Sequence, residues 1–173
     1  MTRILPLEPL TREAFAPFGE VIEAAGITPI PINYGATSRY HDLANIDCAA
    51  QGGSAIVSLF RSTPPAYPFT LKVMENHPLG TQAFMPLSGR PWLVVVAPPG
   101  WFDAGKVRAF RARGDQGVNF ARGTWHHFNL TLGAASDFLV IDRSGPASEK
   151  PDDNCTEVSL EEFGLAVEAP HGA

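Results

Sequence analysis

Cysteine is nearly absent from this chain: its 173 residues include two, Cys48 and Cys155. Two thiols so far apart in sequence do not make a disulfide framework. The opening residues, Met1-Thr-Arg-Ile-Leu-Pro6, lack the apolar region and small-residue cleavage site of a secretory signal. A cytoplasmic location with reduced thiols is therefore expected. No apolar run approaches the roughly 20 residues of a membrane helix; the longest spans residues 92–99. Lysine is scarce, at three residues against ten arginines, and 18 acidic groups outweigh 13 basic ones to give a net charge of −5. With no basic stripe, nucleic acid is not an expected partner. There is no phosphate-cradling glycine loop and no Gly-x-Ser-x-Gly, so neither a nucleotide or redox cofactor nor a serine nucleophile is expected.

The residues that are present point to a β-rich protein. The length suits one domain over residues 1–173, able to hide roughly 70% of its unfolded surface. Sixteen prolines and sixteen glycines separate short runs at 55–60, 69–73, 81–87, 92–97, 107–112 and 137–141. These runs are strand-length and rich in β-branched and aromatic residues, and their number predicts an all-β sandwich or barrel. In residues 107–113, Arg108, Phe110 and Ala112 share one face and Val107, Ala109, Arg111 and Arg113 the other, which predicts a half-exposed strand. Helices are expected to be short and terminal. Thr11 caps one that the Pro17 to Gly19 stretch stops, and Ser159-Leu-Glu-Glu162 reads as a capping box for another that Gly164 ends. Residues 144–154 read as an exposed loop and 169–173 as a frayed tail, so His171 is set aside.

Four other histidines can carry chemistry. Glu75 and His77 flank Asn76, so in an extended chain both side chains point to one face. Gln82 opens the next run, Gly89 lies in a turn, and Gly123-Thr-Trp-His126-His127 follows. This spacing resembles the two cupin motifs: His-x-His, four residues, Glu, six residues, Gly, and later Gly-x-x-His. Glu75, His77, Gln82, Gly89, Gly123 and His126 occupy those positions. Three departures stand out: Glu75 replaces the first histidine, Gln82 replaces the glutamate, and Ala121 stands where the second motif has proline. The resemblance implies a double-stranded β-helix, or jelly-roll barrel. It also implies that Glu75, His77, Gln82 and His126 face inward, able to hold a divalent ion such as nickel, zinc or manganese. His127, next to His126, then points the other way as a structural or rim residue.

A longer resemblance runs through most of the chain. His77-Pro-Leu-Gly-Thr-Gln-Ala-Phe-Met-Pro86 resembles the signature of ureidoglycolate lyases. So do Arg39-Tyr-His-Asp-Leu43, Gly117-Val-Asn-Phe120 with Trp125-His-His127, Asp137-Phe-Leu-Val-Ile-Asp-Arg143, Asp153-Asn-Cys155 and the opening through Phe18-Gly-Glu-Val-Ile22. The resemblance implies a cupin-like barrel, often a homodimer, sometimes associated with nickel or another divalent ion. It implies cleavage of ureidoglycolate to glyoxylate and urea in allantoin breakdown. That reaction needs a base for a hydroxyl proton and a donor toward the leaving nitrogen, tasks suited to His77 and His126. The Gln82 amide can both donate to and accept from a urea group. An arginine fork can hold the carboxylate, with Arg39, Arg61 and Arg143 as candidates and His41 beside Arg39. Arg108, Arg111, Arg113 and Arg122 read as solvated surface, and Trp92 and Phe110 as core. The rival readings are a cupin metallo-enzyme, a dioxygenase or isomerase on another small polar acid, and a non-catalytic metabolite sensor.

Overall fold

The computed structural model describes residues 2–170, so His171 and the end of the expected tail lie outside the described residues. The fold is built mostly of strands. One sheet runs in the order Thr156–Ser159, Val73–Asn76, Trp125–His126, Trp92–Ala97, Arg108–Ala112, Leu7–Pro9, with Leu130–Thr131 also pairing Trp92–Ala97. The second runs Gly19–Ile22, Gly117–Phe120, Gln82–Pro86, Ser136–Ser144, Ser54–Ser62. Their facing sides share one core. Trp92, Val94 and Val96 from the first sheet meet Phe84, Phe120 and Phe138 from the second.

Alternate residues of the same strand point the other way. Leu93, Val95 and Ala97 enter a second core with Leu71, Leu165 and Val167. A three-stranded sheet of Arg3–Ile4, Leu165–Val167 and Phe69–Thr70 contributes to that layer. The Trp92–Ala97 strand is therefore buried on both faces, which is why it is apolar throughout rather than alternating.

The same layer overturns the half-exposed reading of residues 107–113. Phe110 and Ala112 lie in the core between the sheets and Ala109 in the second core, while Arg111 is exposed. Nor is Arg108 simply solvated. It forks Glu8 at 2.9 and 2.6 Å, donates to the Ala14 carbonyl at 3.0 Å and lies 4.8 Å from the Phe110 ring centre. Arg113 pairs with Glu23 and Asp115, and Arg122 with Asp47.

Residues 69–73 do not form one strand. Phe69–Thr70 joins the three-stranded sheet and Val73–Asn76 the larger one, with Leu71 buried between them. Near the N-terminus the helix is the single turn Arg12–Phe15, whose Ala14 N–H donates to Thr11 Oγ1 at 3.2 Å. The expected C-terminal helix is only the 3₁₀ turn Glu161–Phe163, ended by Gly164 at φ 58°. The chain cannot continue as a helix there, because Leu165–Val167 pairs in parallel with Arg3–Ile4. Cys48 and Cys155 form no disulfide. Among the described residues no helix is long and apolar enough to cross a membrane.

Phe110 is fully buried against Phe15 and Phe18. Phe110→Ala is expected to cost about 3–5 kcal/mol, read from the midpoint of urea unfolding. Truncation of the exposed Leu87 should stay within about 0.5 kcal/mol. Equal shifts would contradict this core assignment.

Candidate active site

The two-faced sheet positions the candidate residues. In the Val73–Asn76 strand, Met74 enters the second core, so its neighbour Glu75 turns toward the space between the sheets. His126 stands directly across from Glu75 in the antiparallel register. Its ring stacks on Phe120, with centroids 4.3 Å apart and planes at 15°. His77 follows the strand, and its ring centre lies 5.2 Å from that of His126.

Backbone carbonyls fix both rings. His77 Nδ1–H donates to the Asn154 carbonyl at 2.7 Å, and His126 Nδ1–H to the Thr124 carbonyl at 3.0 Å. In the neutral rings each Nε2 is therefore left with a lone pair, and both Nε2 atoms are buried with no partner among the described residues. Glu75 Oε1 lies 3.6 Å from His126 Nε2. Donor atoms of Glu75, His77 and His126 all fall within 4.8 Å of one another.

Burial pushes the Glu75 carboxyl above the usual carboxylate range, against the pull of His77. Burial, reinforced by the charge of His77, holds His126 down at about 3, so its ring is neutral at physiological pH. Converging lone pairs repel unless a proton or a cation lies among them. Two imidazole nitrogens and one carboxylate suit a divalent transition ion, and the carbonyl-anchored Nδ1–H groups orient the rings as ligating histidines are oriented. Glu75, His77 and His126 thus fit an ion.

Gln82 lines a small cavity of about 50 Å³ together with His77, Thr81, Asp142, Arg143 and Asn154. Its amide hydrogen-bonds the Asp142 carboxylate, leaving Gln82 Oε1 and Asp142 Oδ1 buried without partners among the described residues. Burial raises the pKa of Asp142. His77, Arg143 and Asn154 also line an open cleft of about 400 Å³ bordered by Ile56, Glu149, Lys150 and Cys155. Clefts of this order accept small molecules.

Arg143 forks Glu149 through two contacts of 2.6 Å and donates twice to the Ala50 carbonyl, at 3.1 and 2.8 Å. Its side chain passes Gly53 and Gly80, where an added Cβ would lie 2.3 Å and 2.8 Å from Arg143 atoms. These contacts tie residues 144–154, read from sequence as an exposed loop, into a wall of the cleft. Glu75, His77, Gln82, His126 and Arg143 are thus brought together.

Arg39, His41 and Arg61 are not. Arg39 and His41 are exposed and line none of these cavities. Arg61 pairs with Asp137 at 2.7 Å on the surface. Asp137 is six residues along the strand from Arg143, roughly 20 Å away at strand rise. Sequence reasoning gave Asp142 and Asn154 no site role. Asp142 falls in phase with the inward-facing Phe138 and Val140, and that alternation is a usable signal. Asn154 carries none, because it reaches His77 across 77 residues of chain. His127 faces the other layer, edge-on to Phe69, and burial holds it down at about 4.

A histidine pair, one ring buried and the other half-buried, and a carboxyl beside a metabolite-sized cleft define an all-β protein equipped for acid–base or metal-assisted chemistry. The ureidoglycolate lyase family model matches residues 2–168. The chain is 54% identical over 155 residues to a ureidoglycolate lyase of Burkholderia mallei, covering 90% of this chain and 91% of that one. It is 49% identical over 172 residues to one of Pseudomonas entomophila, covering 98% and 99%. It is 50% identical over 148 residues to ureidoglycolate lyase 1 of Rhizobium meliloti, covering 86% and 87%. The chain belongs to the ureidoglycolate lyase family.

Two outcomes follow from the geometry. His127 titrates near 6.5 when unfolded and near 4 when folded. Between those values the unfolded chain binds more protons, so this contribution is complete above about pH 6.5 and is lost as pH falls toward 4, by up to about 3 kcal/mol. His127→Gln should flatten the melting temperature against pH over that window; an unchanged slope would show that His127 is not buried neutral. For the ion, nickel titration calorimetry should show Glu75→Gln weakening affinity at least about tenfold. Gln82→Ala should change it less, and equal losses would contradict the three-residue ligand set.

Proposed function

We propose that this protein is a single-domain, cupin-type lyase that cleaves ureidoglycolate to glyoxylate and urea in the cytoplasm, working as a homodimer. The observation that carries this reading is the family match over nearly the whole chain, combined with two buried histidine lone pairs beside a metabolite-sized cleft. The substrate carries a hydroxyl, a carboxylate and a urea nitrogen on one carbon. As the hydroxyl proton leaves, the carbon–oxygen bond becomes a carbonyl, the carbon–nitrogen bond breaks, and the nitrogen takes up a proton.

His77 Nε2 is assigned as the base for the hydroxyl proton, because His77 lines the cleft and its Nδ1–H is anchored. Glu75, whose pKa burial raises, is assigned as the proton donor toward the departing nitrogen. Neutral His126 stands across from Glu75 in the register, 3.6 Å away, and packs beside it. Gln82 Oε1 accepts from the urea amide while its own amide rests on Asp142. Where a divalent ion is bound, Glu75, His77 and His126 would hold it, and it would polarise a substrate oxygen as a Lewis acid. Arg143 braces the cleft wall through Glu149, and a carboxylate clamp has to come from another cation.

Racemic ureidoglycolate with purified protein should yield equal amounts of glyoxylate and urea. Stoichiometric ammonia in a urease-free preparation would overturn the lyase reading. Folded His77→Ala and His126→Ala proteins should lose about 10²–10⁴-fold in turnover, and His127→Ala far less. Metal content of each variant separates a base, which leaves occupancy intact, from a ligand, which does not.

A further inference from the structure

One surface of the chain is left uncovered. The first sheet has the three-stranded layer on its outer face, but the outer face of the second sheet carries Val57 and Leu59, which are 67% and 71% exposed. Leu139, Ile141 and Met85, in register beside them, are only partly covered. Residues 138–141 are apolar on both faces of their strand, a pattern that belongs to strands covered on both sides. Among the described residues Ser54–Ser62 pairs only with Ser136–Ser144, so its other edge is open over nine residues. Such an edge is a template for a further chain.

The same chain carries a matching projection. Ile30–Ile32 and Thr37–Arg39 form a hairpin that, among the described residues, packs substantially only on itself and its tip turn. Ile30, Tyr34 and Tyr40 are exposed on it. Asn33 and Tyr34 at the tip hold φ of 52° and 57°, and an isolated hairpin is at best marginally stable in water. An apolar arm and an apolar face that do not meet within one chain can meet between two copies, each giving its arm and receiving the other's. An arm of residues 28–42 plus the face supplies about 20–30 residues a side, the size of a stable interface.

The cleft needs what the arm carries. Ile56, on the open edge, lines the cleft. Arg143 is occupied by Glu149 and Ala50, which leaves exposed Lys150 as the cleft's other cation, beside Glu149. Arg39, at the base of the arm, makes no side-chain hydrogen bond or ion pair among the described residues. We propose that a second copy of this chain covers the outer face and open edge of Ser54–Ser62, and that its arm brings Arg39 to the mouth of the cleft as the cation for an anionic substrate. The substrate part of this inference rests on the lyase reading above; the interface part does not.

Three measurements test it on the full chain. Sedimentation should give a dimer, and Leu59→Glu should give a folded monomer with an ordinary melt. Arg39→Cys and Ile56→Cys chains, co-expressed and oxidised, should form a covalent dimer that neither forms alone. In the third, Arg39→Ala, which alone should raise KM about tenfold or more, is co-expressed with inactive His126→Ala. Half of randomly paired dimers are then mixed and each has one complete site, so about a quarter of wild-type sites should return. A monomeric wild type, a dimer indifferent to Leu59→Glu, or no cross-link overturns the interface. Activity no higher than the mean of the two separate variants overturns the role of Arg39 across the interface. If the wild type releases no urea, the lyase reading fails, while mass and cross-link still decide the interface.

Discussion

The antiparallel pairing of Glu75 with His126 is the constraint on which the site depends. In a strand buried on both faces, each residue's side is fixed by what its neighbours bury. Met74 and Trp125 sit in the outer core, so Glu75 and His126 have to point between the sheets. A one-residue slip would exchange His126 for His127 and Glu75 for an apolar side chain. The apolar packing of the outer layer therefore holds the polar site in register. The stack of His126 on Phe120 and its bond to the Thr124 carbonyl then fix the ring within that register.

A second device closes the site from outside. Residues 144–154 are rich in small and polar side chains and would not pack on their own. Arg143 draws them in through Glu149, and Asn154 receives the His77 Nδ1–H while its side-chain oxygen accepts the Leu79 N–H. One asparagine thus secures both the ring and the backbone two residues beyond it. The orientation of His77 depends on a segment far away in sequence, so damage to that loop would act on the histidine without touching it.

Much of this was readable from residues alone, for identifiable reasons. The strands at 92–97 and 81–87 were visible because a continuous β-branched and aromatic run has few other uses. The alternation of Glu75 and His77 across Asn76 was visible because period two is a local property. What local reading missed was the third layer. It made residues 107–113 look half exposed and hid the split at Leu71, since the strands covering those faces come from both ends of the chain. The C-terminal capping box pointed to a helix, yet parallel pairing with Arg3–Ile4 prevailed, a tertiary demand overriding a local preference. Arg61 and Arg143 looked equivalent as candidates. Only the fold separates an exposed surface pair from a guanidinium held in the cleft wall.

The charge state of the pocket ties these points together. Near neutral pH His126 is neutral, and burial raises the Glu75 pKa, so both shifts act against placing charge in the pocket. Burying a histidinium and a carboxylate together would cost several kcal/mol per ion in desolvation, recovered only with excellent geometry. The 3.6 Å separation of His126 Nε2 and Glu75 Oε1 is too long for that recovery. A pocket whose buried groups shift toward their neutral forms is cheaper to bury. The same economy keeps strong positive charge out of the pocket floor, which agrees with the proposal that a cation at the mouth of the cleft meets the substrate's carboxylate.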